Sequence, residues 1–429
     1  MADLKLNTPL TLKCGLTLPN RLVNPAMAEY FADKDSLPTS EACLSAYERW
    51  AEGGWGLIMT GNVQVDVTYI GQAGDMAYDD SVPRAKIVSA WTRWREAIGK
   101  HGTSAVMQLN HPGRQSPLGS GRRSIFAKTL APSAAAMNLG DGLWPRFLVS
   151  LLFGTPRAMT HADIRAVVGQ FARAAAAAHE AGFAGVEIHA AHGYLLSQFL
   201  SPDINLRTDE YGGSAVNRAR IVVEIVRAIR EVVPAEFCVG IKFNSADYSP
   251  GPEAGRALED RIAQVRVIAE AGIDFLEVSG GTYENPTCIV GYDEQPVATA
   301  KSARTLAREA YFLEFARSIR ESLPGLHLMV TGGFRTRRGM EAAVADGGGC
   351  DMVGIARPAA LHPRLPAETI LNPAVADDDA VLRLGKVQPP WVLTKVGIKG
   401  VGAGWETVSV SLFCTPLFSQ HRMMREVPF

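Results

Sequence analysis

Eight short apolar runs, each followed by a longer amphipathic stretch, constrain this chain more than any other feature of its sequence. The runs are Leu22–Met27, Gly56–Thr60, Ala105–Leu109, Gly185–His189, Cys238–Asn244, Phe275–Ser279, Leu328–Thr331 and Met352–Ile355. Each reads as a strand buried on both faces of a parallel sheet. The stretches between them read as helices. Thr160 is an N-cap with Asp163 three residues on, and Ile164, Val167, Val168, Phe171 and Ala175 form one apolar stripe. Ile221, Val222, Ile225 and Ile229 repeat that spacing until Pro234 stops the helix. Four helices end in an acidic residue and glycine before a strand, at Glu52-Gly53, Glu180-Ala-Gly182, Glu270-Ala-Gly272 and Asp346-Gly347. Glycine there supplies the left-handed cap that turns the chain back into the sheet. Repeated strand–helix units predict an eightfold (β/α) TIM barrel of the α/β class, with an open, doubly wound sheet as the alternative.

Charge and cysteine usage narrow the function. The 429 residues carry 43 Lys+Arg against 44 Asp+Glu, a formal net charge of −1. That balance gives no electrostatic footprint for nucleic acid or an anionic membrane. No window approaches the ~18 uninterrupted apolar residues of a membrane span, and Met1–Asn7 lacks a signal peptide's apolar run. Cysteines stand at 14, 43, 238, 288, 350 and 414, never as C-x-x-C, which argues against local zinc or iron–sulfur ligation. The expectation is a soluble, cytoplasmic protein; no oligomeric state is legible.

Two segments break the pattern. Residues 112–158 exceed an ordinary loop, and Leu143–Phe153 is largely apolar, so a lid over the barrel mouth is expected there. Residues 373–429 read as an irregular extension to a barrel of residues 1–372. Gly400-x-Gly402-x-Gly404 lies in that tail without the strand–helix context of a dinucleotide loop.

Barrel active sites lie at the C-terminal ends of the strands. That rule selects Met27-Ala28, Thr60-Gly61, Gln108–His111, His189-Ala-Ala-His192-Gly-Tyr194, Lys242, Thr331–Phe334 and Gly354–Pro358. Glycines after the seventh and eighth strands, with Arg357, suit a phosphate, because backbone N–H groups approach where no Cβ intrudes. His189 and His192 admit three readings. They are core histidines, or metal ligands with His111 as the one obvious further candidate, or neutral donors that grip a carbonyl or nitro oxygen. In the last case Tyr194 supplies a proton.

These positions carry a family resemblance. Asn20-Arg-Leu-Val-Asn-Pro-Ala-Met27, Gly56-Leu-Ile-Met-Thr-Gly61, Gln108-Leu-Asn-His-Pro-Gly-Arg114 and Gly185-Val-Glu-Ile-His-Ala-Ala-His-Gly-Tyr194 resemble the old yellow enzyme family. So do Asn205-x-Arg-x-Asp-x-Tyr-Gly-Gly-Ser214 and Val330-Thr-Gly-Gly333, and the likeness covers roughly residues 5–370. It implies a barrel that holds FMN non-covalently, takes hydride from NADH or NADPH, and passes it to an electron-poor alkene in ping-pong fashion. By the same resemblance Pro25, Ala26, Met27, Ala28 and Tyr30 form the first-strand flavin segment. Gly61 is the small residue against the ring, Gln108 bonds the pyrimidine edge, and Gly333, Ala356 and Arg357 grip the phosphate. His189 and His192 match the substrate-holding pair, and Tyr194 the proton donor.

Two positions depart from the family's pattern. Lys242 replaces an arginine beside flavin N1, keeping the charge but losing the planar fork. Ala28 stands where threonine or cysteine commonly bonds flavin O4. The rival from another reaction class is a metal-dependent barrel hydrolase with the histidines as ligands; a non-catalytic binding barrel is a third reading.

Overall fold

A computed structural model describes residues 4–382, apart from 125, 141, 246–252, 283 and 285–302. The tail motifs beyond residue 382 lie outside the described residues. Eight parallel strands appear where the apolar runs predict them: β1 (Leu22–Asn24), β2 (Leu57–Met59), β3 (Ser104–Asn110), β4 (Gly185–Ala190), β5 (Cys238–Asn244), β6 (Phe275–Ser279), β7 (His327–Thr331) and β8 (Met352–Gly354). Each pairs with its sequence neighbours, β8 pairs with β1, and β3 pairs with β4, so the sheet closes. Closure removes the open-sheet alternative. The first strand is shorter than its apolar run. Pro25 has no N–H to donate, and Pro25–Tyr30 leaves the ladder as a loop at the mouth.

The α-helices among the described residues are α1 (Glu41–Ala51), α2 (Arg84–Gly99), α3 (Leu143–Phe153), α4 (His161–Glu180), α5 (Leu195–Leu200), α6 (Ala215–Val232), α7 (Glu253–Glu270), α8 (Ala303–Ser322), α9 (Arg337–Val344) and α10 (Arg357–Leu361). The predicted capping box opens α4: the Thr160 hydroxyl accepts from the Asp163 N–H, and the Asp163 carboxylate accepts from the Thr160 N–H. Left-handed glycines follow α4, α7 and α9 at Gly182, Gly272 and Gly347. After α1 that role falls to Gly54, with φ +76°. Gly53 is glycine for another reason: a Cβ there would sit 2.1 Å from the Pro363 carbonyl.

Period-two alternation decides what each strand shows the barrel interior. Met107 and Leu109, Val186 and Ile188, Val239 and Ile241, Leu276 and Val278 face outward into the helix layer with Ile164, Phe171, Ile225 and Ile229. The opposite face forms a second apolar cluster of Val23, Leu57, Met59, Val106, Cys238, Phe275, Met329 and Met352. Leu10, Leu12 and Leu18, from an antiparallel hairpin of Leu10–Thr11 with Thr17–Leu18, pack under that cluster as its floor. Nearer the mouth the inward positions become polar, a change the apolar runs conceal.

Gly240 makes room for the floor. A Cβ on it would lie 2.1 Å from the ring of Phe275, which is fully buried. Gly240→Ala is therefore expected to destabilise the fold by about 1–3 kcal/mol, as overpacking does. A urea midpoint equal to the wild type's would show that the floor has slack.

The segment after β3 holds α3 and a two-residue strand pair, Leu130–Ala131 with Arg157–Ala158. Leu143, Trp144, Phe147, Leu151 and Leu152 on α3 are exposed. At the other end, packing continues past residue 372. The buried Arg337 guanidinium donates to the carbonyls of Val375, Ile370 and Asn372 and pairs with Asp377, while Ala380 and Leu382 are buried. Among the described residues no helix is long and apolar enough to cross a membrane.

Candidate active site

Four buried polar side chains form a layer across the barrel interior. Gln108 on β3, Glu187 on β4, Lys242 on β5 and Glu277 on β6 are each 3% exposed or less. Gln108 Nε2 donates to Glu187 Oε2 at 2.6 Å, and Lys242 Nζ lies 3.1 Å from Glu277 Oε1 and 3.9 Å from Glu187 Oε2. Burial, then the neighbouring Glu277 carboxylate, pushes Glu187 well above the usual carboxylate range despite the opposing pull of Lys242. Burial alone would draw Lys242 down, but Glu277 and Glu187 outweigh it and hold its ammonium charged. The cation expected at Lys242 thus sits between two buried carboxyl groups. Sequence reading missed both glutamates, because each sits inside an otherwise apolar strand.

One step nearer the mouth, the same alternation places His189, Asn244 and Ser279. His189 Nδ1 accepts the Ala191 N–H at 3.2 Å. His189 Nε2 faces His192 Nδ1 at 3.2 Å, and His192 Nε2 meets Ser279 Oγ at 2.9 Å. The His192 N–H donates to Asn244 Oδ1 at 3.1 Å, and His192 itself is left-handed, with φ +57°. Gly193 follows with φ +76°, and a Cβ there would strike Gln115 Nε2 at 2.4 Å. The strained His-Gly pair makes a tight turn that aims two imidazoles at one place. Tyr194 caps α5, half-buried, with its ring 4.8 Å from that of His189 in an edge arrangement.

Both histidines are neutral. Burial first, then His192 and Lys242, drops His189 well below its ordinary value; burial and Lys242 bring His192 to about 3. His111, pulled down by burial to about 4, turns Nδ1 to the Gly113 N–H and lies against the Tyr69 ring. It does not join the pair. Among the described residues, the groups close enough to share one ion are Cys14, Cys238 and Asp274, and His161, Asp209 and Glu210. Neither contains His111, His189 or His192, which leaves the hydrolase reading without its third ligand.

The remaining predicted positions ring the same mouth. Pro25–Tyr30 follows β1, and Gly61 follows β2 so closely that a Cβ on it would meet the Met27 carbonyl at 2.3 Å. Glu29, unremarked in the sequence, ties these loops together: its carboxylate accepts from the Tyr47 hydroxyl and from the Gly61 N–H at 3.1 Å. Burial raises Glu29 to about 8 against those two hydrogen bonds. Between its ordinary value of 4.5 and 8 the folded state keeps a proton that the unfolded chain has lost, so stability falls as pH rises through that window. Glu29→Gln is expected to remove this slope, which is about 1.4 kcal/mol for each pH unit crossed. Thermal melts at pH 5 and pH 8 check it, and parallel pH dependence in both proteins would refute the assignment.

Thr331 and Gly354 are register partners on β7 and β8, which brings Gly332-Gly333 beside Ala356-Arg357. Gly332 and Gly333 have φ +113° and +85°, backbone that only glycine adopts freely, and Arg357 opens α10. This donor set fits FMN: glycine backbone and a guanidinium for the phosphate, the remaining oxygen of Gln108 for an N–H of the ring, and a buried ammonium nearby.

Comparison with known proteins agrees with that chemistry. The model of the NADH:flavin oxidoreductase / NADH oxidase family matches residues 5–370. An NADH-dependent flavin oxidoreductase of Neonectria sp. (strain DH2) is 52% identical over 408 residues, covering 94% of this chain and 52% of the relative, so the chain spans about half of that protein. Another, from Hypocrea jecorina (strain QM6a), is 46% identical over 95% of this chain and 100% of its own length. Among solved structures, morphinone reductase superposes with a TM-score of 0.66 at 25% identity, covering 87% of this chain and 91% of that one. With its family match, its relatives and its closed barrel in agreement, the chain belongs to the NADH:flavin oxidoreductase / NADH oxidase family, that of old yellow enzyme, as an oxidoreductase with FMN as cofactor.

Proposed function

We propose that this chain reduces carbon–carbon double bonds conjugated to a carbonyl or nitro group, in two separable half-reactions. The observation that carries the reading is the convergence of His189 Nε2 and His192 Nδ1, 3.2 Å apart, with the Tyr194 ring beside them. FMN, when bound, would supply the hydride chemistry, linking NADH or NADPH as donor to the β-carbon of the alkene as acceptor. The residues do the rest. Two neutral imidazoles donate to the activating oxygen, on which negative charge grows as hydride arrives. Neutral donors suit this task, since they stabilise charge without surrendering a proton. Tyr194 delivers the proton to the α-carbon as general acid.

Pro25, Ala26, Met27, Ala28, Tyr30, Gly61, Gln108 and Lys242 would hold the flavin ring, and Gly333, Ala356 and Arg357 its phosphate. In the same reading the barrel works in the cytoplasm as one catalytic unit of residues 1–372. Residues 112–158 cover its mouth and select the alkene, and 373–429 form an extension. The test is anaerobic incubation of the flavin-loaded protein with NADH or NADPH and 2-cyclohexenone. Nicotinamide oxidation matched mole for mole by cyclohexanone supports the reading. Oxidation of nicotinamide only when oxygen is admitted, across a panel of enones and nitroalkenes, would overturn it.

A further inference from the structure

The hydrogen-bond chain through the histidine pair has a direction. His189 uses Nδ1 to accept the Ala191 N–H, so its one proton sits on Nε2. That N–H faces His192 Nδ1 at 3.2 Å, which must therefore accept, and the His192 proton sits on Nε2, 2.9 Å from Ser279 Oγ. In this state both imidazole protons are committed inside the protein. A ligand oxygen placed between the rings can receive two N–H bonds only if His192 carries its proton on Nδ1 instead. His192 Nε2 then becomes a buried lone pair in need of a donor.

We infer that Ser279 is a positioning residue that lets His192 exchange tautomers, an inference that rests on the histidine pair gripping a ligand oxygen. A hydroxyl both accepts and donates, so Ser279 satisfies either tautomer by turning its O–H. With the site free it accepts from His192 Nε2–H. With an oxygen ligand bound it donates to bare Nε2, while His192 Nδ1–H joins His189 Nε2–H on the ligand. The number of protons on the pair is unchanged; one leaves Nε2 for solvent and one arrives at Nδ1. The surroundings hold the ring still during the exchange. Asn244 Oδ1 fixes the His192 N–H and Asn244 Nδ2 donates to the Gly281 carbonyl at 3.4 Å. Gln115 Nε2 donates to the His192 carbonyl at 3.0 Å, and His192 bridges to Thr282. Ser279 itself is 7% exposed, on a strand whose neighbouring inward residue is Glu277.

Histidine-selective 15N NMR of the flavin-loaded protein reads the tautomer directly, with His192→Gln assigning the signals. The free protein should show His192 Nε2 protonated and Nδ1 bare. A para-substituted phenol, whose oxygen accepts two hydrogen bonds, should invert the two. Ser279→Thr should keep the inversion. Ser279→Ala should lose it and bind the phenol about tenfold more weakly, with its FMN content unchanged. Phenol bound with His192 Nε2 still protonated, or equal phenol affinity in Ser279→Ala, would overturn the role of Ser279. His189→Ala separates the levels: weakened phenol binding there with none in Ser279→Ala removes only the tautomer exchange. Undiminished binding in both removes the oxygen grip as well.

Discussion

Tyr194→Phe is expected to slow alkene reduction by roughly 10²–10⁴, the range of a lost general acid, while oxidation of NADH by the loaded enzyme stays nearly intact. The two half-reactions separate because only the second needs a proton at carbon. Tyr194 stands at the start of α5, where Gln198 N–H donates to its carbonyl at 2.8 Å. Phenylalanine keeps the ring edge against His189 and removes the hydroxyl alone. Rapid-mixing traces of each half-reaction decide the matter. Equal slowing of both would make Tyr194 a packing residue.

His189→Ala and His192→Ala should each cost roughly 10²–10³ in the alkene half-reaction, as for the loss of one oxyanion donor. The pair is expected to be non-additive, because each imidazole holds the other. Their depressed proton affinity adds a second expectation. His192 titrates near 3 and His189 is also well below its usual value, so neither produces a rate inflection between pH 5 and 8. A histidine inflection in that range that vanishes in either variant would mean that a charged imidazole does the work. Metal retained by the wild type and lost in both variants would instead revive ligation.

What the sequence shows and hides follows from the barrel's two faces. The outward face of every strand must be apolar to meet a helix, so Ile188, Ile241 and Leu276 announce strands clearly. The inward face has no such rule near the mouth, and Glu187 and Glu277 are indistinguishable in sequence from the odd polar residue of an edge strand. Only closure shows that they flank Lys242. The histidines, Tyr194 and the glycines after β7 are legible because turns and strand ends restrict residue type. Ser279 and Glu29 are not. Each acts on a neighbour more than 30 residues away in the chain, a pairing no local pattern encodes. Pro25 is visible, yet the apolar run around it reads as one strand; a missing N–H outweighs the run.

If hydride reaches the β-carbon while the protein's own acid protonates the α-carbon, the two hydrogens added to the alkene have different sources. Turnover of 2-methyl-2-cyclohexenone with nicotinamide deuterated at the transferring C4 position, in ordinary water, followed by NMR of the product, measures both at once. The expected product carries one deuterium at the β-carbon and hydrogen from solvent at the α-carbon, with the pattern reversed for undeuterated nicotinamide in D₂O. Deuterium from nicotinamide at the α-carbon, or none in the product while the nicotinamide is consumed, would contradict it.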